Sequence, residues 1–145
     1  MTSEPPDLDH FDLDDAWRLG TTLAEQCRSQ GHPVTISIHL GEQRVFHAAL
    51  PGTSADNDSW VDRKSRVARR FACSSHEVHE RYVKGDPEAF FSAFALSPSQ
   101  YAPTGGAVPI RVRGALVGVL AVSGLESSED HELAVSALSG HVRQP

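Results

Sequence analysis

The sequence predicts a single α+β domain built on antiparallel hairpins. Two apolar-rich stretches, residues 34–50 and 107–124, each break at a short glycine-containing turn, which is the pattern of a β-hairpin. Helical periodicity lies before, between and after them. The resulting order, α-ββ-ααα-ββ-α, demands an antiparallel sheet with flanking helices, and not a parallel α/β sheet.

Residues 1–11 are acidic, contain Pro5 and Pro6, and read as a flexible arm ahead of one domain, residues 12–145. Asp12 or Asp14 caps a helix running to about Gln30, with Ala16, Gly20, Leu23 and Cys27 as its apolar stripe and Gly31 just past its end. Val34, Ile36, Ile38 and Leu40 then alternate with Thr35, Ser37 and His39. A three-residue turn, Gly41-Glu42-Gln43, pairs Leu40 with Arg44, Ile38 with Phe46, Ile36 with Ala48 and Val34 with Leu50. A two-residue turn would put His47 among the apolar side chains, so the longer turn is preferred. It makes His39 and His47 diagonal neighbours on the opposite face.

Asp56, Asn57 and Asp58 supply caps for a second helix, residues 59–73. Trp60, Val61, Lys64, Val67, Ala68 and Phe71 fall on its inner side, and Arg63, Arg66 and Arg70 on its outer side. A further helix covers residues 76–84, and Gly85-Asp86-Pro87 starts a short one that ends at Phe94. In the second hairpin, a turn at Arg113-Gly114 pairs Val112 with Ala115, Ile110 with Val117 and Val108 with Val119, a wholly apolar face. The other face sets Arg111 against Leu116, Pro109 against Gly118 and Ala107 against Leu120. It is too apolar for open water, so a helix or a second subunit should cover it, and a subunit interface or pocket edge is expected there. Pro109 argues against a central strand at that point. Ser127, three residues before Asp130, reads as a capping box for the last helix, to about Val142.

A chain of 145 residues is the size of one domain. Its longest apolar run, near residues 115–122, is far short of the roughly 20 residues that span a bilayer. The N-terminus has neither a basic nor an apolar leader segment, so a cytoplasmic location and no membrane association are expected. The net charge of −6 disfavours nucleic acid. Cys27 and Cys73 follow no metal spacing, and Cys27 on an apolar stripe reads as a buried free thiol.

No phosphate loop, nucleophile elbow, dinucleotide fingerprint or HExxH is present. The eight histidines are the informative residues. His76 and His79, three apart on a helix, can offer one imidazole face to a metal or haem iron, or simply an exposed polar face. His39 and His47 can line a pocket wall or stand half-exposed on a strand. Arg63, Arg66 and Arg70 suit a carboxylate or propionate, or form a solvated helix face. Lys64 falls on the apolar side, where it either snorkels or is buried for a reason. Gly105-Gly106 admits a ligand close to the backbone, or is a plain turn. No complete catalytic constellation is visible: catalytic and metal-binding residues stay unassigned, enzyme activity is left open with its absence the first expectation, and a small-molecule reaction using His47 or His131 as general base with Lys64 nearby ranks last.

The segments FHAALPGTSADNDSWVDRKSRVARRF, CSS and GGAVPIRVRGALVGVLAVSGL followed by EDH resemble the haem-degrading domain family, and within it the branch of small single-domain cytosolic proteins. The resemblance covers nearly the whole chain, with residues 74–101 fitting least well. It implies a profilin-like α+β fold, homo-oligomers from dimers upward, and haem or iron-tetrapyrrole binding in some members, with haem degradation as the activity its name asserts. By motif position it points to His47, Asn57, Trp60, Arg63, Lys64, Ser75, Gly106, Pro109 and His131. The alternative is a non-enzymatic oligomeric binding or adaptor module without haem, taking a small-molecule ligand or none.

Overall fold

The computed structural model describes residues 4–143. Its elements are β1 (Asp7–Leu8), α1 (Leu13–Ser29), β2 (Thr35–Leu40), β3 (Gln43–Ala49), α2 (Ala55–Phe71), α3 (Ser75–Val78), α4 (Pro87–Phe94), β4 (Ala107–Val112), β5 (Ala115–Ser123) and α5 (Ser127–Arg143). The α+β class and the element order are those expected. The arm contributes one more element: Asp7 and Leu8 pair in parallel with Arg111 and Val112. Leu8 is buried, and Phe11 packs on the main core. Residues 1–3 of the arm lie outside the described residues.

Capping fixes the helix starts. Asp12 accepts from the Asp15 N–H while the Asp15 carboxylate accepts from the Asp12 N–H, so α1 begins where expected. Ser54 and Asn57 form the same reciprocal pair on α2, which therefore starts about one turn earlier than the aspartates suggested. The expected capping box on α5 is not formed by Asp130, whose carboxylate reaches back to the Gly124 and Leu125 N–H groups.

The five strands order as β1-β4-β5-β2-β3. Both hairpins carry a one-residue irregularity that sequence alternation does not reveal. Leu40 pairs with Gln43 and His39 with Arg44, the two-residue-turn register; then Ile38 pairs with Phe46 and Ile36 with Ala48, the three-residue register. The two readings coexist because Val45 is a bulge between them. In the second hairpin Val112 pairs with Ala115 and Arg111 with Leu116 as expected. Val117 is then skipped, so Ile110 faces Gly118, Pro109 faces Val119 and Val108 faces Leu120. Every side chain of β5 beyond the bulge changes face relative to the expectation. Leu120 and Val122 therefore join Val108 and Ile110 in the main core, and Val119 goes to the other side.

The sheet is buried on both faces. One face packs Ile36, Ile38, Ile110 and Leu120 against Leu19 and Leu23 of α1 and Ala134 and Leu138 of α5. On the other, Ala107, Val119 and Ala121 meet Val61 and Ala68 of α2. A helix of the same chain thus covers the second hairpin face, where a subunit was the other expectation. β1 reaches only Arg111 and Val112, so Pro109 lies where β4 is an edge, the position a proline tolerates. A third cluster, with Val67, Val78, Val83 and Phe90, lies outside α2 and carries α3 and α4.

At Gly118 a Cβ would overlap the carbonyl oxygen of His39 on the paired strand. Gly118→Ala therefore forces β5 off β2 and lowers stability by about 1–3 kcal/mol, the usual cost of overpacking. Urea unfolding checks this; an unchanged midpoint would contradict the packing.

Candidate functional site

The inner face of α2 carries one charge, Lys64, set between Val61 and Ala68. Across the end of β5, the inward row of α5 runs Asp130, Ala134, Leu138 at four-residue spacing. These two patterns meet. Lys64 Nζ donates to Asp130 Oδ2 at 3.2 Å and to the Val122 carbonyl at 3.3 Å. The side chains are 5% and 1% exposed. Burial pushes Lys64 below the usual lysine range, against the pull of Asp130. Burial also raises Asp130, against Lys64 and the two backbone N–H groups.

Gly106 makes room for the amine. With φ at +140, a Cβ there would overlap the Val122 carbonyl and stand 2.9 Å from Lys64 Nζ. Gly105 is pressed against the Ser127 carbonyl and the His131 Cβ. The pair opens into a cavity of about 370 Å³ lined by Asn57, Trp60, Lys64, Thr104, Glu126 and Asp130 among others. A second cavity of about 250 Å³ adjoins it, sharing Trp60 and Thr104; Arg63, His79, Phe91 and Tyr101 line its remainder. The Arg63 guanidinium lies 4.1 Å over the Trp60 ring.

The structure thus places Asn57, Trp60, Arg63 and Lys64 around these two cavities, with Gly106 beside Lys64 but lining neither. His47 is elsewhere: its Nε2 is 2.8 Å from Asp58 Oδ1, between β3 and α2. Pro109 is buried in β4 and lines neither cavity. The arginine stripe does not converge, since Arg66 donates to the Gln100 carbonyl. His76 and His79 also part company. A π turn over His79–Val83 begins at His79. His76 turns inward and stacks on the buried His131, ring centroids 4.8 Å apart. His79 turns out to the apolar cavity, its Nδ1 3.1 Å from the Pro103 carbonyl. Ser75 is also interior, accepting from the Ala107 N–H.

Asp130 is the residue sequence reasoning missed, because its spacing from Ser127 was absorbed as a cap. The signal was Lys64 itself: an amine on an apolar helix face requires a buried acid, and Asp130 shares a face with Ala134 and Leu138. Cys27 is a buried free thiol, as expected. Among the described residues no group of three metal-ligating side chains occurs, and no helix is long and apolar enough to cross a membrane.

Four likenesses bear on this site. A family model described as haem degrading protein HbpS-like matches residues 11–139. A UPF0303 protein of Streptomyces avermitilis is 47% identical over 140 residues, covering 95% of this chain and 85% of the relative. Among solved structures, the Ybr137w protein superposes with a TM-score of 0.85 at 32% identity, covering 95% of this chain and 83% of that one. A PduOC:heme complex gives 0.74 at 19% identity, with 89% and 93% covered, a likeness of fold.

One buried and one half-buried histidine set a pH response. Burial and the neighbouring His131 hold His76 below its ordinary 6.5, and burial with Arg44 does the same for His39. The unfolded chain therefore takes up protons below about pH 6.5 that the folded one resists, so stability falls as pH drops through that value. Urea midpoints measured from pH 7 to 5 should decline, and His76→Gln should flatten the slope. A midpoint that rises on acidification overturns the assignment.

Proposed function

The chain belongs to the HbpS-like family, and from that premise we propose that it is an oligomeric small-ligand-binding module that holds its ligand without turnover. One observation carries the reading: two cavities of opposite character meet at a single tryptophan. The one beyond Thr104 is walled by Phe91, Tyr101 and prolines. The other ends on a buried ion pair. A ligand with a flat apolar body and a polar end matches both at once, its body against Trp60 and its polar end toward Lys64.

A haem reading has one specific observation in its favour. His79 Nδ1 donates to the Pro103 carbonyl, which leaves Nε2 with its lone pair, the tautomer that ligates metals. It lines the same cavity as Arg63, which suits a propionate. The other histidines fit iron poorly: His76 and His131 are buried, and His47 is engaged by Asp58. The residues at the apolar cavity therefore fit a haem held by His79 and Arg63. Bound there, haem would supply iron-centred redox chemistry, while these residues bind and orient it.

Trp17 and Trp60 are the two tryptophans. In Trp17→Phe protein, anilinonaphthalene sulfonate should quench Trp60 emission and raise the melting temperature. Hemin in the same protein should give a Soret shift that His79→Ala abolishes and His47→Ala keeps. No response to either probe overturns the binding reading; a response to the sulfonate alone removes haem only.

Assembly is supported by surface composition. Leu13 and Trp17, one turn apart on α1, are 58% and 63% exposed, and Val142 on α5 is 48% exposed. Sedimentation at micromolar concentration should show a dimer or larger, weakened by Trp17→Glu. A strict monomer overturns the oligomer.

A further inference from the structure

We propose that Lys64 is a carbonyl-capturing amine: at the floor of the polar cavity it forms a reversible imine with a small hydroxylated aldehyde, with Asp130 as its proton partner. This goes beyond non-covalent holding, and it rests on the polar cavity being a ligand site.

The choice of residue is the first argument. Arginine supplies eleven of the thirteen cationic side chains; the lysines are Lys64 and Lys84. Elsewhere the chain pairs its acids with arginine, as in Arg18 with Asp15, Arg44 with Asp62 and Arg81 with Glu77. Arginine makes the better fixed ion pair but cannot lose its proton. The most buried cation is instead the one type that can become a nucleophile.

The surroundings are the second. Lys64 Nζ has two acceptors, Asp130 Oδ2 and the Val122 carbonyl, which leaves its third position for a ligand. Gly106 clears the space beside it. Burial disfavours the charge on both partners, lowering the amine and raising the acid, and the 3.2 Å hydrogen bond between them is the path for a proton.

The chemistry balances without an oxidant or reductant. Asp130 takes a proton from the ammonium. The free amine adds to the aldehyde carbon, giving a carbinolamine. Asp130 returns the proton to the carbinolamine hydroxyl as water leaves and the C=N bond forms. The sum is ammonium plus aldehyde to protonated imine plus water, with Asp130 returned to its carboxylate form.

The cavity walls select the aldehyde. Asp56 and Glu126 repel a carboxylate, while Asn57, Thr104, Ser123 and Ser127 offer an amide and hydroxyls. The Asn57 Oδ1 is already occupied by the Ser54 N–H, so its amide NH₂ faces the ligand's needs as a donor. A short polyhydroxy aldehyde in its open-chain form fits this lining, and a keto acid does not.

The test is reductive trapping on the full chain. Glycolaldehyde with cyanoborohydride at neutral pH should add one hydroxyethyl group to Lys64 on the order of tenfold faster than to Lys84, as peptide mass mapping reads. Asp130→Asn should slow Lys64 labelling and leave Lys84 unchanged, with circular dichroism confirming the fold. Glyoxylate should label Lys64 more slowly than glycolaldehyde. Labelling of Lys84 at an equal or greater rate overturns the proposal, as does labelling of Lys64 that ignores Asp130. If glycolaldehyde raises the melting temperature yet leaves Lys64 unmodified, the imine is overturned and the ligand site stands. If it does neither, the polar cavity is not the site and both fall.

Discussion

An ammonium and a carboxylate, both withdrawn from water, join the two helical layers past the end of β5. Lys64 comes from the helix on one face of the sheet and Asp130 from a helix on the other. Between them they also hold the Val122 carbonyl and the Gly124 and Leu125 N–H groups. The β5–α5 connection is therefore shaped around this pair. Such a pair adds little net stability, since desolvation offsets most of the attraction, yet removing one partner strands a buried charge at a cost of about 3–5 kcal/mol. Its worth is positional. It fixes where α5 starts, which in turn closes one wall of the polar cavity.

The apolar cavity depends on a different layer. Without the α3–α4 segment, the outer side of α2 would be a plain solvated face. That segment brings His79 and Phe91, and the connection after it brings Tyr101, up to Trp60, so one indole belongs to both cavities. The π turn at His79 makes this possible. In a continuous α-helix two histidines three apart share a face, but here one enters the interior and the other meets the cavity.

Much of the fold was legible because period and capping are local. Alternation marked both hairpins, and the acidic caps marked α1 and α4. The registers were only half legible. A bulge leaves no mark in an alternating pattern, so Val45 and Val117 each displaced the pairing by one residue and sent Val119 to the opposite face. The parallel pairing of Leu8 was also out of reach, since two residues carry no periodicity. At the site, Trp60, Arg63, Lys64 and Gly106 stood out by residue type and motif. His79 stood out only as a pair with His76 and Asp130 only as a cap, because the partners that place them lie 24 and 66 residues away along the chain.

The bulge at Val45 has a consequence for behaviour in a crowded solution. β3 is one outer strand of the sheet, and β1 with the exposed part of β4 is the other. An uninterrupted outer strand is a template for further strands and hence for fibrous aggregation. On the β3 side the bulge breaks the row of unpaired backbone groups partway along. On the opposite side β1 is two residues long, and Pro109 lacks the N–H that a new strand would need. Neither rim can be extended through a full set of rungs. Copies of this chain are therefore steered toward contacts between side-chain surfaces, and a finite assembly is compatible with a protein that does not polymerise through its sheet.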